Sequence, residues 1–225
     1  MSDQNPKLVG SNIIDCIPQT GQCPNGCAEC YYNGAFYRTK DEPLIPAREE
    51  TLGKIVRVNS GHDSNLQKER VLEVTKGYPR KFYNTSIPNF DFPAPVVFTC
   101  NGRATDYTFC HREDVGNLMH VRFRANMWNL ELCDQAAEWY TFRGVPLMIT
   151  VMRYYSKLAV KDSRLYEHKQ HILNSYWCLG VEGHEEIRKR YEDNPLVLMC
   201  GYPSSYCRDC GHCERLYWEM VEGVR

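Results

Sequence analysis

Three thiols stand within eight residues near the start of the chain, in Cys23-Pro-Asn-Gly-Cys27-Ala-Glu-Cys30. Cysteine thiolates are the usual protein ligands of iron–sulfur clusters, and so short a run, opened by a Pro-Asn-Gly turn, can wrap three of them around one metal centre. Zinc in a structural site would want a fourth ligand, for which Cys16 is near enough in sequence. A disulfide or an inert loop is the bland alternative. A second group, Cys207-Arg-Asp-Cys210-Gly-His-Cys213, follows Cys200 by seven residues. C-x2-C-x2-C is a spacing of ferredoxin-like cluster binding, so a second [4Fe–4S] cluster is the first expectation there. Zinc with His212 or Cys200 as fourth ligand is its rival, and Cys178 is an alternative to Cys200. Cys100, Cys110 and Cys133 lie in strand and helix patterns, where a buried, unreactive thiol is expected.

The redox setting follows from the same residues. The chain has 225 residues and 12 cysteines. Its start, MSDQNPKLVG, lacks the basic and apolar stretches of a signal peptide, and no run of about 18 apolar residues is present to span a bilayer. A cytoplasmic protein away from the membrane is therefore expected, and in a reducing compartment a cysteine excess points to metal or redox chemistry before disulfides. Lys and Arg number 27 against 28 Asp and Glu, which gives no global electrostatic reason to expect nucleic acid or an anionic membrane as a partner.

The elements that must position these thiols alternate. Residues 13–17, 54–59, 81–86, 95–101, 119–126 and 145–152 read as strands, rich in Val, Ile, Phe and Thr, while 63–76, 103–117 and 129–143 read as helices. That order predicts an α/β fold with a parallel sheet and outer helices. The crossover at 86–95 is too short and proline-rich for a full helix. Arg57 with Asn59, Asn84 with Ser86, Thr99 with Asn101, and Arg122 with Arg124 and Asn126 are each two residues apart, so each set shares one strand face. They gather toward the C-terminal strand ends, where parallel α/β folds bind ligands, and a polar ligand cavity is the reading; strand ends meeting water is the bland one. Beyond Ser156 the alternation stops. Residues 161–174 and 185–192 read as helices, and the division expected is 1–156 and a cysteine-rich extension at 157–225.

Cys23, Cys27 and Cys30, following the candidate strand 13–17, make the chain resemble the radical S-adenosylmethionine (radical SAM) superfamily over roughly residues 10–155, through its C-x3-C-x2-C loop after the first strand of a partial (βα)6, TIM-like barrel. The family's residue before the third cysteine is usually aromatic; here it is Glu29, with Tyr31 and Tyr32 just after. The resemblance implies a [4Fe–4S] cluster with one iron open to SAM, reductive cleavage of SAM to a 5′-deoxyadenosyl radical, and hydrogen abstraction from a substrate that the sequence does not name. It also implies an electron donor such as flavodoxin or ferredoxin, and it fits a C-terminal auxiliary cluster.

It further implies cofactor contacts from the strand ends. In Asn59-Ser-Gly-His-Asp63, Gly61 and Asp63 would meet the SAM amino group with Ser60 or His62 assisting; the alternative for Asp63 is a helix cap. Asn101 suits a ribose hydroxyl, and Arg124 with Asn126 suits a carboxylate, since the guanidinium fork binds one bidentately. Each could equally be a surface residue or pair with a nearby acid. The rival for the whole protein is a zinc-stabilised α/β binding or regulatory protein without catalysis. His168 and His171 share a helical-turn spacing, and Tyr154, Tyr155, Tyr176 and Tyr206 are candidates for a substrate cavity; packing and solvated surface explain these equally well.

Overall fold

A computed structural model describes residues 4–25, 42–100, 113–155, 157, 160, 164–170, 175–201 and 204–223. Seven strands form one parallel sheet: β1 (Ile13–Cys16), β2 (Ile55–Val58), β3 (Lys81–Thr85), β4 (Val96–Cys100), β5 (Leu118–Ala125), β6 (Leu147–Val151) and β10 (Val197–Met199). Their spatial order is β1-β2-β3-β4-β5-β6-β10, so each strand through β6 adds beside its predecessor. The α/β class holds. The sheet is open, with β1 and β10 at its edges, and is not a closed barrel. The six expected strands match β1 to β6 to within one or two residues at each end, and β10 is a seventh, unexpected one.

Both faces of the sheet are covered, which is why its strands read as nearly unbroken apolar runs. On one face Cys16, Val58, Tyr83, Phe98, Phe123 and Ile149 pack with Val71 of α1 (Lys68–Thr75), with Cys133, Ala136 and Tyr140 of α2 (Leu130–Phe142), and with Ile187 of α3 (Val181–Arg190). On the other, Ile13, Ile55, Phe82, Val97, Met119 and Met148 meet Leu8 and the helix α5 (His212–Val221) through Leu216 and Tyr217. The crossover at 86–95 has no helix, as expected. It is filled by Phe92 stacked on Tyr83 at 4.7 Å and by Phe90 against Phe98 at 5.2 Å. Asn117 Nδ2 donates to the carbonyls of Phe90, Phe92 and Ala94, which holds the turn.

Three helix expectations need correction. The helix expected over 63–76 begins only at Lys68, because Asp63 is spent on other bonds and Gln67 takes a left-handed conformation at φ 54°. Of the helix expected over 103–117, residues 103–112 lie outside the described residues; 113–117 are turn and irregular chain leading into β5. The helix expected over 161–174 is overturned where it is described. Tyr166–Gln170 is a strand, β8, antiparallel to β9 (Ser175–Leu179), and with β7 (Arg153–Tyr154) they form a second sheet of order β7-β9-β8. Tyr154, Tyr166 and Trp128 pack their rings together beneath it, a non-local contact that a helix at 166–170 would forfeit. Among the described residues no helix is long and apolar enough to cross a membrane.

Candidate cofactor and metal site

The face covered by α5 changes character along the strands. Its apolar row, Ile13, Ile55, Phe82, Val97 and Met148, gives way two residues later to Asp15, Arg57, Asn84, Thr99 and Thr150, because strand side chains alternate with period two. Arg122 is in register with Thr99, and Arg124 with Thr150. Of the polar sets anticipated on β2 to β5, Arg57, Asn84, Thr99, Arg122 and Arg124 thus lie on one face, toward the C-terminal strand ends. Buried polar atoms without a hydrogen-bond partner among the described residues occur at this edge: Asn59 Oδ1, both ring nitrogens of His62, and Thr150 Oγ1. Burial holds the His62 imidazole below its ordinary pKa, which favours the neutral ring.

Arg57 and Asp15 form a bidentate pair at 2.6 and 3.1 Å, with Asp15 only 2% exposed. Asn84 Nδ2 donates to the Val58 carbonyl at 2.7 Å, and Arg122 Nη1 stands 3.5 Å from Asn84 Oδ1. Asn59 follows β2 in a left-handed conformation, φ 60°, that asparagine tolerates, and its amide donates to Ser64 Oγ. Arg124 is 6% exposed and Thr99 5%. The guanidinium groups of Arg57, Arg122 and Arg124 thus share this floor with the carboxylate of Asp15, and a guanidinium suits a carboxylate or other anion.

The residues proposed for cofactor contact take different parts. Ser60 is half-buried and Gly61 buried in the β2–α1 connection. Asp63 is 2% exposed, and its carboxylate accepts from Ser86 N at 2.6 Å, Thr85 Oγ1 at 2.8 Å and Asn65 N at 3.0 Å. Burial raises its pKa against these hydrogen bonds. Asp63 therefore ties the β2 connection to the end of β3, and it is not the cap of α1, whose N-cap is Gln67. Asn126 closes the turn after β5: its Nδ2 donates to Tyr154 Oη, its Oδ1 accepts from Trp128 N, and Asn129 Oδ1 accepts from Asn126 N. Asn101 lies outside the described residues.

Of the cysteine loop, Cys23 is described and half-buried, while Cys27 and Cys30 lie outside the described residues. The segment leading to Cys23 leaves the C-terminal end of β1, the polar end of the sheet. Gln19 anchors it there, its Nε2 donating to the carbonyls of Asp63 at 3.1 Å and Leu66 at 2.8 Å. A lone glutamine after a strand carries no sequence signal for this role. Cys16 sits on the opposite face, packed with α1, α2 and α3 and away from the polar floor, and burial pushes its thiol up to about 12.

The C-terminal thiols approach the same polar face. Cys200 follows β10 with its N–H donating to the Ile149 carbonyl at 2.8 Å. Cys207 and Cys210 bound a single turn, α4 (Cys207–Cys210); Gly211, at φ 65°, turns the chain into α5, whose second residue is Cys213. Cys207 and Cys213 pack against the apolar row beneath. Burial raises both thiols, Cys213 to about 12, while the charges of Arg57 on both and of Arg122 on Cys213 pull the other way. Burial, with Arg153 nearby, lowers Lys7 beside Cys200 and Cys207. Among the described residues no three His, Cys, Asp or Glu side chains form a ready coordination set. A separate cavity of about 340 Å³ runs along the β10 edge, lined by Ile187, Tyr191, Leu198, Met199 and His212 among others; of the candidate residues it holds only the alternative zinc ligand His212. Comparison of the chain with family models, with curated proteins and with solved structures finds no match in any of the three.

Proposed function

We propose that the chain is a radical SAM enzyme built on a partial barrel, in which Cys23, Cys27 and Cys30 hold a [4Fe–4S] cluster. One observation carries the reading: a loop with three closely spaced thiols leaves the first strand of a consecutively ordered parallel sheet at the end where one face becomes polar and cationic. Three thiolates suit three irons of a cubane and leave the fourth for a substrate-like ligand. When bound, the cluster supplies the electron that cleaves SAM to methionine and a 5′-deoxyadenosyl radical, which takes hydrogen from the substrate. The chain's residues bind and orient. Arg124 would offer its guanidinium to the SAM carboxylate and the Ser60–Gly61 backbone would line the amino group, while Asn101, outside the described residues, is the candidate for a ribose hydroxyl. Asp63, Asn126 and Gln19 position the connections that carry these contacts. The α5 helix closes the apolar half of the same face and keeps water from the interior.

Anaerobic reconstitution tests the reading. The wild type is expected to show [4Fe–4S] absorbance and to release 5′-deoxyadenosine from SAM on reduction, by dithionite or by a flavodoxin or ferredoxin system. Cys27→Ala is expected to lose both the loop cluster and at least about a hundredfold in cleavage rate, roughly 2.7 kcal/mol in barrier. Cleavage at the wild-type rate in Cys27→Ala, or wild-type protein carrying zinc and no iron, overturns it.

A further inference from the structure

The second sheet, β7-β9-β8, begins two residues after β6, at the C-terminal end of the main sheet. Residues directly opposite on antiparallel strands share a face. The register therefore puts Tyr154, Trp177 and His168 on one face, and Arg153, Cys178 and Glu167, with Tyr176 and Lys169, on the other. Tyr154 and Tyr166 are buried against Trp128, but the strands run on past this support. Glu167, His168, Lys169 and Gln170 are all exposed, and Tyr176 and Trp177 are only half-buried. Cations accompany these open rings. The Arg153 guanidinium lies 4.9 Å from the centre of the Tyr176 ring and the Lys157 ammonium 5.7 Å from that of Trp177, which also meets the His168 ring at 5.1 Å. Lys169 is paired with Glu167, whereas among the described residues no carboxylate pairs with Arg153 or Lys157. The sequence carries the same local bias: over residues 153–179 five Lys and Arg stand against two Asp and Glu, in a chain of net charge −1.

We propose that this sheet docks a single-stranded nucleic acid, with bases stacking on His168, Trp177 and Tyr176 and phosphates meeting Arg153 and Lys157. Stacking needs a π face and no particular base, and cations beside the rings supply the sequence-independent attraction for phosphate. At 5.7 Å the Lys157 ammonium lies near the outer reach of a cation–π contact, so a base takes its place over the indole and the flexible lysine turns to a phosphate. A duplex keeps its base faces in its own stack and offers these rings nothing. A protein partner fits less well, because lysine is depleted at protein interfaces and here cations flank both rings. The surface is separate from the loop cysteines, and the inference depends neither on the cluster nor on SAM.

Fluorescence anisotropy of the full-length chain provides the test, with labelled RNA and DNA single strands of about twelve nucleotides. A duplex, a base-free sugar–phosphate strand of the same length and a poly-glutamate peptide serve as the other probes. At least one single strand is expected to bind about fivefold or more tighter than the base-free strand, and tighter than the duplex. Preference for RNA or for DNA then identifies the natural partner. Arg153→Ala/Lys157→Ala, a change at two exposed residues, is expected to weaken single-strand binding about tenfold and to flatten the slope of log affinity against log salt by about 0.7 for each lost phosphate contact. His168→Ala is expected to weaken the single strands and to leave the base-free strand unaffected. No binding of either single strand at about 50 mM salt overturns the inference. So does a duplex, base-free strand or poly-glutamate peptide held as tightly as the single strands, or a double variant that binds like the wild type.

Discussion

Asp15 and Arg57 show how the polar face is held together. They occupy paired register positions on adjacent strands, and the fork geometry leaves both carboxylate oxygens bonded. The edge strand β1 gains a further tie, because Gln4 Nε2 donates to the Asp15 carbonyl while Gln4 Oε1 accepts from Asp15 N. Removing one member of a buried ion pair strands the other charge. Asp15→Ala is therefore expected to lower unfolding free energy by about 3–5 kcal/mol in urea titrations, and Asp15→Ala/Arg57→Ala to recover part of that loss. The pair was half-visible in the sequence: Arg57 stood out as a polar residue on a strand, but its partner lies 42 residues away and nothing local points to it.

Between elements, α2 and α3 are joined by Asp134, whose carboxylate accepts from Arg190 through both oxygens and from Tyr191 Oη at 2.8 Å. The Arg190 hydrogen bonds hold the Asp134 carboxyl below its ordinary 3.8. A folded value below the unfolded one means the stabilisation is full at neutral pH and is lost as pH falls below 3.8 and through the folded value. Both side chains keep solvent contact, so the effect is small. Asp134→Asn is expected to cost about 0.5–1 kcal/mol at neutral pH, and to shrink to nothing in strong acid, when urea midpoints of the two proteins are compared across pH.

At the scale of the molecule, the C-terminal segment completes the sheet that the first 151 residues build. β10 pairs with β6, and α5 lays Leu216, 1% exposed, on the apolar row of β1 to β6. Leu216→Ala is expected to destabilise the protein by about 2–5 kcal/mol, since a fully buried leucine leaves a cavity. A single cooperative unfolding transition, shifted as a whole in calorimetry, checks that α5 and the sheet share one core; an unmoved sheet transition beside a lost C-terminal one would refute it.

The sequence by itself determined what is local. The cysteine spacings, the positions of six strands and the two-residue polar periodicity of Arg57, Asn84, Thr99, Arg122 and Arg124 follow from residue type and backbone period, and the sheet carries these strand and face positions as read. The tertiary structure decided what depends on distant partners. Residues 166–170 have enough polar content for an exposed helix, yet pairing with Ser175–Leu179 and packing of Tyr166 on Trp128 make them a strand. Asp63 has the chemistry of a cap or a ligand contact, and only the arrival of Ser86 and Thr85 at the end of β3 commits its carboxylate. Spacing along the chain sets which residues can meet, and the free energy of burying them together, summed over the whole sheet, sets which do.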